Sequence, residues 1–337
     1  MKLSVIIPCR NEVNFIKECI EAIFSNDLPL SVELSVIVID GMSDDGTREL
    51  IQKLKHKFNN LSIVDNIEKL TPFAFNLGIK YKTADYFQIV GARNILSKNY
   101  LKTAICKLSD HPDVWCVGGL VNNVYINKIG EIISKAMSTS FGMGLGNFRT
   151  LLKSGYTDTV GSPMYPSWVF EKIGYFDEKL IRNQDDDFNF RVTQSGGKIW
   201  FEYSISMRYY VRGNFKSLYK QFFQYGYWKV YVNKKHGAVT TFRQLVPPLF
   251  VMFLFSIPFL FFISSILFYL SLLGLIFYSC LSMYFGFKKS NNLKEFTGII
   301  KTFPILHFSY GFGYLQGLVH FFILRKKPSN NQKSLSR

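Results

Sequence analysis

The sequence predicts an α/β protein: a mostly parallel sheet covered by helices, followed by apolar helices toward the C-terminus. Three observations lead there. Short continuous apolar runs alternate with stretches of helical period through the first 120 residues. No Asp, Glu, Lys, Arg or His occurs from 245 to 287. The chain carries a formal charge of +16, with basic residues gathered at the flanks of its apolar segments.

The elements follow in order. "LSVIIP" (3–8) reads as a buried strand, and 12–26 carries apolar residues at a helical period. "ELSVIVID" (33–40) is a second strand and 45–58 a second helix. A third strand covers 61–66, and 72–82 is a helix opened by Pro72, whose fixed φ suits a first helical position. Strands at 86–91 and 114–121 flank a helix at 99–110. Continuously apolar strands alternating with helices indicate a parallel sheet buried on both faces. Ligands of such sheets bind outside the carboxyl ends of the strands, where strand order reverses. The loops after the first, second and fourth strands are therefore expected to carry chemistry. The pattern is less regular from 122 to 213, and a helix follows at 214–233.

One membrane crossing needs roughly 20 apolar residues. The uncharged stretch 245–287 therefore accommodates two helices, with a tight turn expected near 271–274. A second stretch, 302–324, has no Asp, Glu, Lys or Arg and carries His307 and His320 as its histidines; it reads either as a third span or as an interfacial segment. Lys288, Lys289, Arg325, Lys326 and Lys327 fit the positive-inside rule and attraction to anionic lipid. A third crossing would put Arg325, Lys326 and Lys327 outside, against that rule. A basic chain also suits nucleic acid, but the charges cluster at membrane flanks and the aromatics sit mostly in the apolar segments, so no nucleic-acid partner is expected. "MKLSVIIPCRNE" has too short an apolar run for a secretory signal, so the first ~240 residues are expected in the cytoplasm. The division expected is 1–213 for the α/β domain, 214–244 for a closing helix and linker, 245–325 for a multi-pass region in the cell (inner) membrane, and 326–337 for a polar tail. Cys9, Cys19, Cys106, Cys116 and Cys280 are odd in number and lack CxxC spacing, which fits reduced thiols.

The loop "PCRNE" (8–12) and the loop "DGMSDDGT" (40–47) follow the first two strands. An acid that ends a buried strand, followed by Gly and small polar residues, suits a nucleoside; the same residues also serve as a helix cap and turn. "RNQDDDFNFR" (182–191) sets three aspartates in a row within a basic chain. That run suits a solvated helix start, a metal site or the seat of a general base.

Taken together, "SVIIPCRNE", "VIDGMSDDGT", "NIEKLTPFAFNLGI" (66–79), "GYFDEKLIRNQDDDFNFRVTQSGGKIWF" (174–201) and "YYVRGNFKSLYKQFFQYGYWK" (209–229) resemble the family 2 glycosyltransferases. "HFSYGFGYLQGL" (307–318) resembles the membrane end of a subgroup that builds exopolysaccharides of the succinoglycan type. The resemblance covers about residues 3 to 318. It implies the GT-A fold and an inverting transfer from a nucleotide-sugar, a UDP-sugar above all, to a lipid-linked saccharide acceptor in capsular or exopolysaccharide synthesis. It implies donor-binding roles for Pro8, Arg10, Glu12, Asp40 and Asp45, with Pro72, Ala74 and Asn76 near the nucleotide. The family's acidic pair falls on Gln184-Asp185, which makes Asp185 the general base; Asp187 matches a position often acidic, and Asp186 is expected to be solvated. Arg212 matches an arginine before the closing helix, a diphosphate or acceptor contact. Gln221, Tyr225 and Trp228 share a helical face that lines the acceptor path or lies on the membrane. Gly311 and Gly313, near His307 and Tyr310, suit close helix contact.

One loop departs from the family. Where it places an Asp-x-Asp or Asp-x-His for Mg²⁺ or Mn²⁺, this chain has Gly91, Ala92 and Arg93. A hard cation needs oxygen ligands, and those side chains offer none. Arg93 can take the cation's place, because a guanidinium fork matches diphosphate oxygens. Otherwise Asp185 or Asp187 supplies ligands from the other side, or turnover is lost. Two further readings stand beside transfer to a lipid-linked acceptor: a processive polysaccharide synthase, and a non-catalytic scaffold that binds nucleotide-sugars.

Overall fold

The computed structural model describes residues 1–144 and 148–328. The chain divides into two compact units, one of Met1–Asn122 with Leu151–Tyr210, the other of Asn123–Thr150 with the chain from Val211 onward. The sequence reading ran the first domain unbroken to 213; here 123–150 leaves it for the second unit. Of the expected tail at 326–337, residues 329–337 lie outside the described residues.

The first unit begins as the sequence implies: β1 (Lys2–Cys9), α1 (Ile16–Phe24), β2 (Glu33–Asp40), α2 (Thr47–Lys55), β3 (Leu61–Asp65), α3 (Thr71–Tyr81), β4 (Tyr86–Ile89), β5 (Asn94–Leu96), α4 (Tyr100–Asp110) and β6 (Val114–Val124). After α5 (Lys128–Met137) and α6 (Ser140–Met143), which belong to the second unit, come β7 (Gly155–Thr157), β8 (Gly161–Pro166), α7 (Trp168–Ile173), α8 (Gln184–Gln194) and β9 (Lys198–Tyr210). Leu3, Val5, Ile6, Ile7, Val36 and Val38 are fully buried, as strands covered on both faces require.

The sheet runs β3-β2-β1-β4-β8-β6-β9-β5, with β7 paired to β9. β1 pairs in parallel with β2 and β4, and β2 with β3. The sheet is nevertheless mixed. β8 lies antiparallel between β4 and β6, so the strand expected at 114–121 keeps the parallel sense but does not adjoin β4. β8 lies in the stretch whose pattern is less regular, and Pro163 and Pro166 within it cannot donate to a ladder. The ends of the first three strands are level: Cys9 lies opposite Asp40, and Asp40 opposite Asp65. The loops that follow therefore emerge along one edge, and β4 joins them through Ile6 opposite Ile89.

The second unit adds α9 (Phe215–His236), α10 (Val246–Ile263), α11 (Ser265–Lys289) and α12 (Leu293–Leu318). Asn214 caps α9 by accepting from the Ser217 N–H at 2.8 Å, and Gly237, in the left-handed region at φ 62°, ends it. α9 and α12 meet backbone to backbone. Gly226 lies against the Tyr310 carbonyl and Gly313 against the Phe223 carbonyl, and a Cβ at either would overlap that oxygen. The contact expected of Gly313 is thus made with α9; Gly311 packs on Val251 and the Pro247 carbonyl. His307 donates from Nε2 to the Phe141 carbonyl at 2.9 Å, and its Nδ1 lies 2.9 Å from the Tyr278 hydroxyl. Because a carbonyl only accepts, the proton sits on Nε2 and Tyr278 donates to Nδ1.

Two helical segments, Phe242–Ile263 and Ser265–Lys289, are long and apolar enough to cross a membrane. The bend between them is at Ser264, whose backbone is extended and whose hydroxyl accepts from the Leu267 N–H. The turn expected near 271–274 is continuous helix instead: the Ser271 hydroxyl bonds back to the Phe268 carbonyl at 2.6 Å, which satisfies it inside the helix. α12 begins upstream of the apolar stretch at 302–324 and includes Lys294, Glu295 and Lys301. It buries Ile299, Phe303, Leu306 and Tyr314, and Glu295 pairs with Lys135 at 2.6 Å.

Candidate active site

The loops after β1 and β2 clasp each other. Asp40 ends β2 fully buried, accepts from the Ser43 N–H (3.0 Å) and hydroxyl, and pairs with Arg48 at 2.6 Å. Ser43 Oγ in turn accepts from the Asn11 N–H at 2.8 Å. The Asn11 and Asp44 groups bond reciprocally: Nδ2 donates to Oδ1 at 2.8 Å and the Asp44 N–H returns to Asn11 Oδ1 at 3.0 Å. Asn11 holds a positive φ of 53°, which Asn tolerates better than most residues. Asp45 accepts from the Val13 N–H at 3.3 Å and from the Thr47 N–H at 3.0 Å. Desolvation pushes its pKa up, but the hydrogen bonds from Thr47 and Val13 outweigh it and hold the carboxyl below its ordinary value.

The sequence-derived donor residues divide accordingly. Pro8 is half-buried near the end of β1, and the Arg10 stem lies against Gly41 across the gap between the loops. Asp40 and Asp45 shape the loops by bonding to their own neighbours. Asn76, expected beside the nucleotide, is buried and spends both ends of its carboxamide elsewhere. Nδ2 donates to the Phe176 carbonyl and to Glu178 at 2.9 Å, and Oδ1 accepts from the Phe176 N–H at 3.0 Å. It tethers α3 to the chain that leads into α8.

Arg48 was not singled out from sequence. It bridges Asp40 and Asp65 at 2.6 and 2.8 Å. The available signal was its position: a cation in the first turn of a helix opposes the dipole unless a carboxylate holds it.

At the loop after β4, Arg93 Nε donates to Glu12 Oε2 at 2.8 Å, and the guanidinium lies over the Phe15 ring, 4.5 Å from its centroid. Glu12 is buried and its carbonyl accepts from the Phe15 and Ile16 N–H groups at 2.9 Å, which starts α1. The donor set at 91–93 does not suit a hard cation. Among the described residues, no three His, Cys, Asp or Glu side chains come together as metal ligands.

The three aspartates begin α8, as the sequence implies, after Asn183 in the left-handed region at φ 58°. They are not equivalent. Asp185 is exposed, Asp186 half-buried rather than fully solvated, and Asp187 fully buried. Asp187 is paired at 3.1 Å with Arg191, which also donates to the Ile173 and Tyr175 carbonyls at 2.7 and 2.8 Å. Its carboxylate is thereby committed to the helix base. Gln184 has its side-chain oxygen buried without a hydrogen-bond partner among the described residues.

In the second unit, Gln221 donates to the Tyr225 hydroxyl at 2.9 Å, one turn along α9. Trp228, expected to line an acceptor path, is fully buried and packs edge-on against Tyr227 and Tyr231. Arg212 has its Nε buried without a hydrogen-bond partner among the described residues.

A sequence profile, Glycosyl transferase family 2, matches residues 4–160. The chain is 32% identical over 231 residues to the dolichyl N-acetyl-alpha-D-glucosaminyl phosphate 3-beta-D-2,3-diacetamido-2,3-dideoxy-beta-D-glucuronosyltransferase of Methanococcus voltae, covering 66% of this chain and 71% of that one. It is 26% identical over 246 residues to the succinoglycan biosynthesis protein ExoA of Rhizobium meliloti (strain 1021), covering 72% of this chain and 73% of that one. The mannosyltransferase PcManGT from Pyrobaculum calidifontis, solved with GDP-Man and Mn²⁺, superposes with a TM-score of 0.66 at 14% identity over 94% of this chain and 86% of that one. This last likeness establishes the GT-A-like fold.

Proposed function

Because the chain belongs to glycosyltransferase family 2, we propose that it moves a sugar from a nucleotide-sugar, a UDP-sugar in the first instance, to a hydroxyl of a lipid-linked saccharide, with inversion at the anomeric carbon. The observation that carries the chemistry is the inequality of the α8 carboxylates. Asp187 is buried in an ion pair, whereas Asp185 faces solvent at the helix N-terminus. Asp185 takes the acceptor hydroxyl's proton as that oxygen attacks the anomeric carbon, and the bond from this carbon to the diphosphate oxygen breaks. The products are the extended saccharide, the nucleoside diphosphate and a protonated Asp185. A positioned base contributes about 10²–10⁴-fold.

The clasped loops after β1 and β2 form the nucleoside side of the site, with Glu12 and Asp40 as their acidic members. The α10–α11 hairpin anchors the enzyme in the cell membrane with its first unit in the cytoplasm, which the basic Lys288 and Lys289 at the end of α11 favour. The dolichyl-phosphate-linked substrate in the name of the Methanococcus voltae relative and the succinoglycan role of the Rhizobium meliloti relative support a lipid-linked acceptor and a role in exopolysaccharide assembly.

The test is nucleoside-diphosphate release by the purified full chain from a panel of UDP-sugars, with a polyprenyl- or dolichyl-phosphate-linked saccharide as acceptor. Release that depends on acceptor, yields a product longer by one sugar and is lost in Asp185→Asn is the expected result. A product ladder would replace this reading by a processive synthase. Turnover undiminished in Asp185→Asn would remove the proposed base.

A further inference from the structure

We propose that the donor's diphosphate is held by Arg93, pre-oriented by Glu12 and Phe15, in place of a divalent cation; this rests on the nucleotide-sugar reading above. The first argument is position. Chain order reverses between β1 and β4, since β1 runs on to β2 on one side and pairs with β4 on the other. The crevice outside the carboxyl ends at such a reversal is where open α/β sheets bind their ligands. The Arg93–Glu12 pair bridges that crevice, because Glu12 is in the loop after β1 and Arg93 in the loop after β4.

The second argument is the donor set. Gly91 and Ala92 bring no side-chain oxygen, Asp40 is enclosed by Ser43 and Arg48, and Asp45 by Thr47 and Val13. A hard divalent cation takes six or more oxygens or keeps several waters; a guanidinium needs neither. The third is geometry. Glu12 engages Nε, on the inner edge of the fork, and Phe15 backs one face of the plane. The terminal Nη1–Nη2 edge is the pair of parallel donors that matches two phosphate oxygens. The side chain is 22% exposed, so the group is reachable from the crevice while its orientation is fixed.

The experiment is calorimetric titration of the full chain with UDP and with uridine, and in parallel with GDP and guanosine, in EDTA and in Mn²⁺. The diphosphate is expected to bind equally in both, and more tightly than its nucleoside. Arg93→Ala should weaken the diphosphate about tenfold or more, the loss of a charge-assisted contact, and leave the nucleoside unchanged. Since Arg93→Ala leaves the buried Glu12 without its cation, Arg93→Lys is made beside it: the ammonium keeps a positive charge next to Glu12 but lacks the guanidinium fork, and the same selective loss for the diphosphate is expected. Diphosphate binding that needs Mn²⁺, or that keeps its advantage over the nucleoside in both variants, overturns the proposal while sugar transfer in Mn²⁺ leaves the enzymatic reading intact. Failure of both diphosphates to bind in either medium would overturn the two together.

Discussion

Arg191 holds Asp187 at 3.1 Å from one turn further along α8, and the carboxylate it holds has no exposure to solvent. The pair stands two residues from Asp185, so it sets the start of the helix that carries the proposed base. Removing one partner of a buried ion pair leaves the other charge uncompensated, at a cost of about 3–5 kcal/mol. Arg191→Met is therefore expected to lower the denaturant midpoint of the first unit. Asp187→Asn combined with Arg191→Met should lose less than the two single losses added. Additive losses in the double-mutant cycle would show that the pair contributes nothing of its own.

Asp185→Asn is expected to behave in the opposite way. The side chain is exposed, so thermal stability should stay within about 0.5 kcal/mol of wild type. The catalytic rate should fall about 10²–10⁴-fold with little change in donor affinity. Parallel melting and single-turnover measurements separate this variant from Arg191→Met, in which both quantities move.

The Asp40–Arg48–Asp65 bridge makes a third case. Arg48→Ala strips the fully buried Asp40 of its cation while Ser43 still donates to it. Nucleoside affinity should drop several-fold, because the clasp between the loops after β1 and β2 runs through Ser43 to Asn11. Arg48→Lys restores charge but reaches the two carboxylates with a single ammonium, so it should recover only part. Titration with uridine, which lacks phosphate, isolates this effect from that of Arg93.

In the second unit, Gly313→Ala puts a methyl group where the Phe223 carbonyl lies. A collision with backbone cannot be relieved by a rotamer change, so α9 and α12 must separate. The expected loss is about 1–3 kcal/mol or more, read as a lower melting temperature in detergent. Gly144→Ala, at a position where no atom of the described residues lies within reach of a new Cβ, reports the strain of its own backbone at φ 82°.

The parts of this fold legible in the sequence are those whose burial is local. β1 to β4 are continuous apolar runs, and their carboxyl-end loops show as acids beside small residues, so the clasp residues Glu12, Asp40 and Asp45 were all in view. What each carboxylate does was not. Asp187 and Asp185 are two residues apart in one acidic run, and only the approach of Arg191 and the carbonyls of Ile173 and Tyr175 separates a buried structural acid from an exposed one. Asn76 was placed by its segment near the nucleotide, yet its partners Phe176 and Glu178 are about a hundred positions away in the chain. β8 was missed because its pairing strands are remote and its prolines argue against a ladder. Ser271 and Gly274 looked like a turn because those residues break helices in water; inside an apolar helix the serine closes its own hydrogen bond.

The bend between α10 and α11 has a consequence for the membrane anchoring proposed above. Phe259, Phe261, Phe262, Ile263, Ile266 and Leu267, all exposed, surround Ser264 there, and no charged residue lies between Arg243 and Lys288. A lysine or arginine carried to mid-membrane would cost about 2.5–3.5 kcal/mol on the insertion scale. Nothing on this hairpin imposes that barrier, and no hydrophilic loop has to be translocated ahead of it. For the anchoring proposed above, entry would then be a partitioning step from the side where both charged ends remain, with a depth that follows the apolar area offered to the lipid.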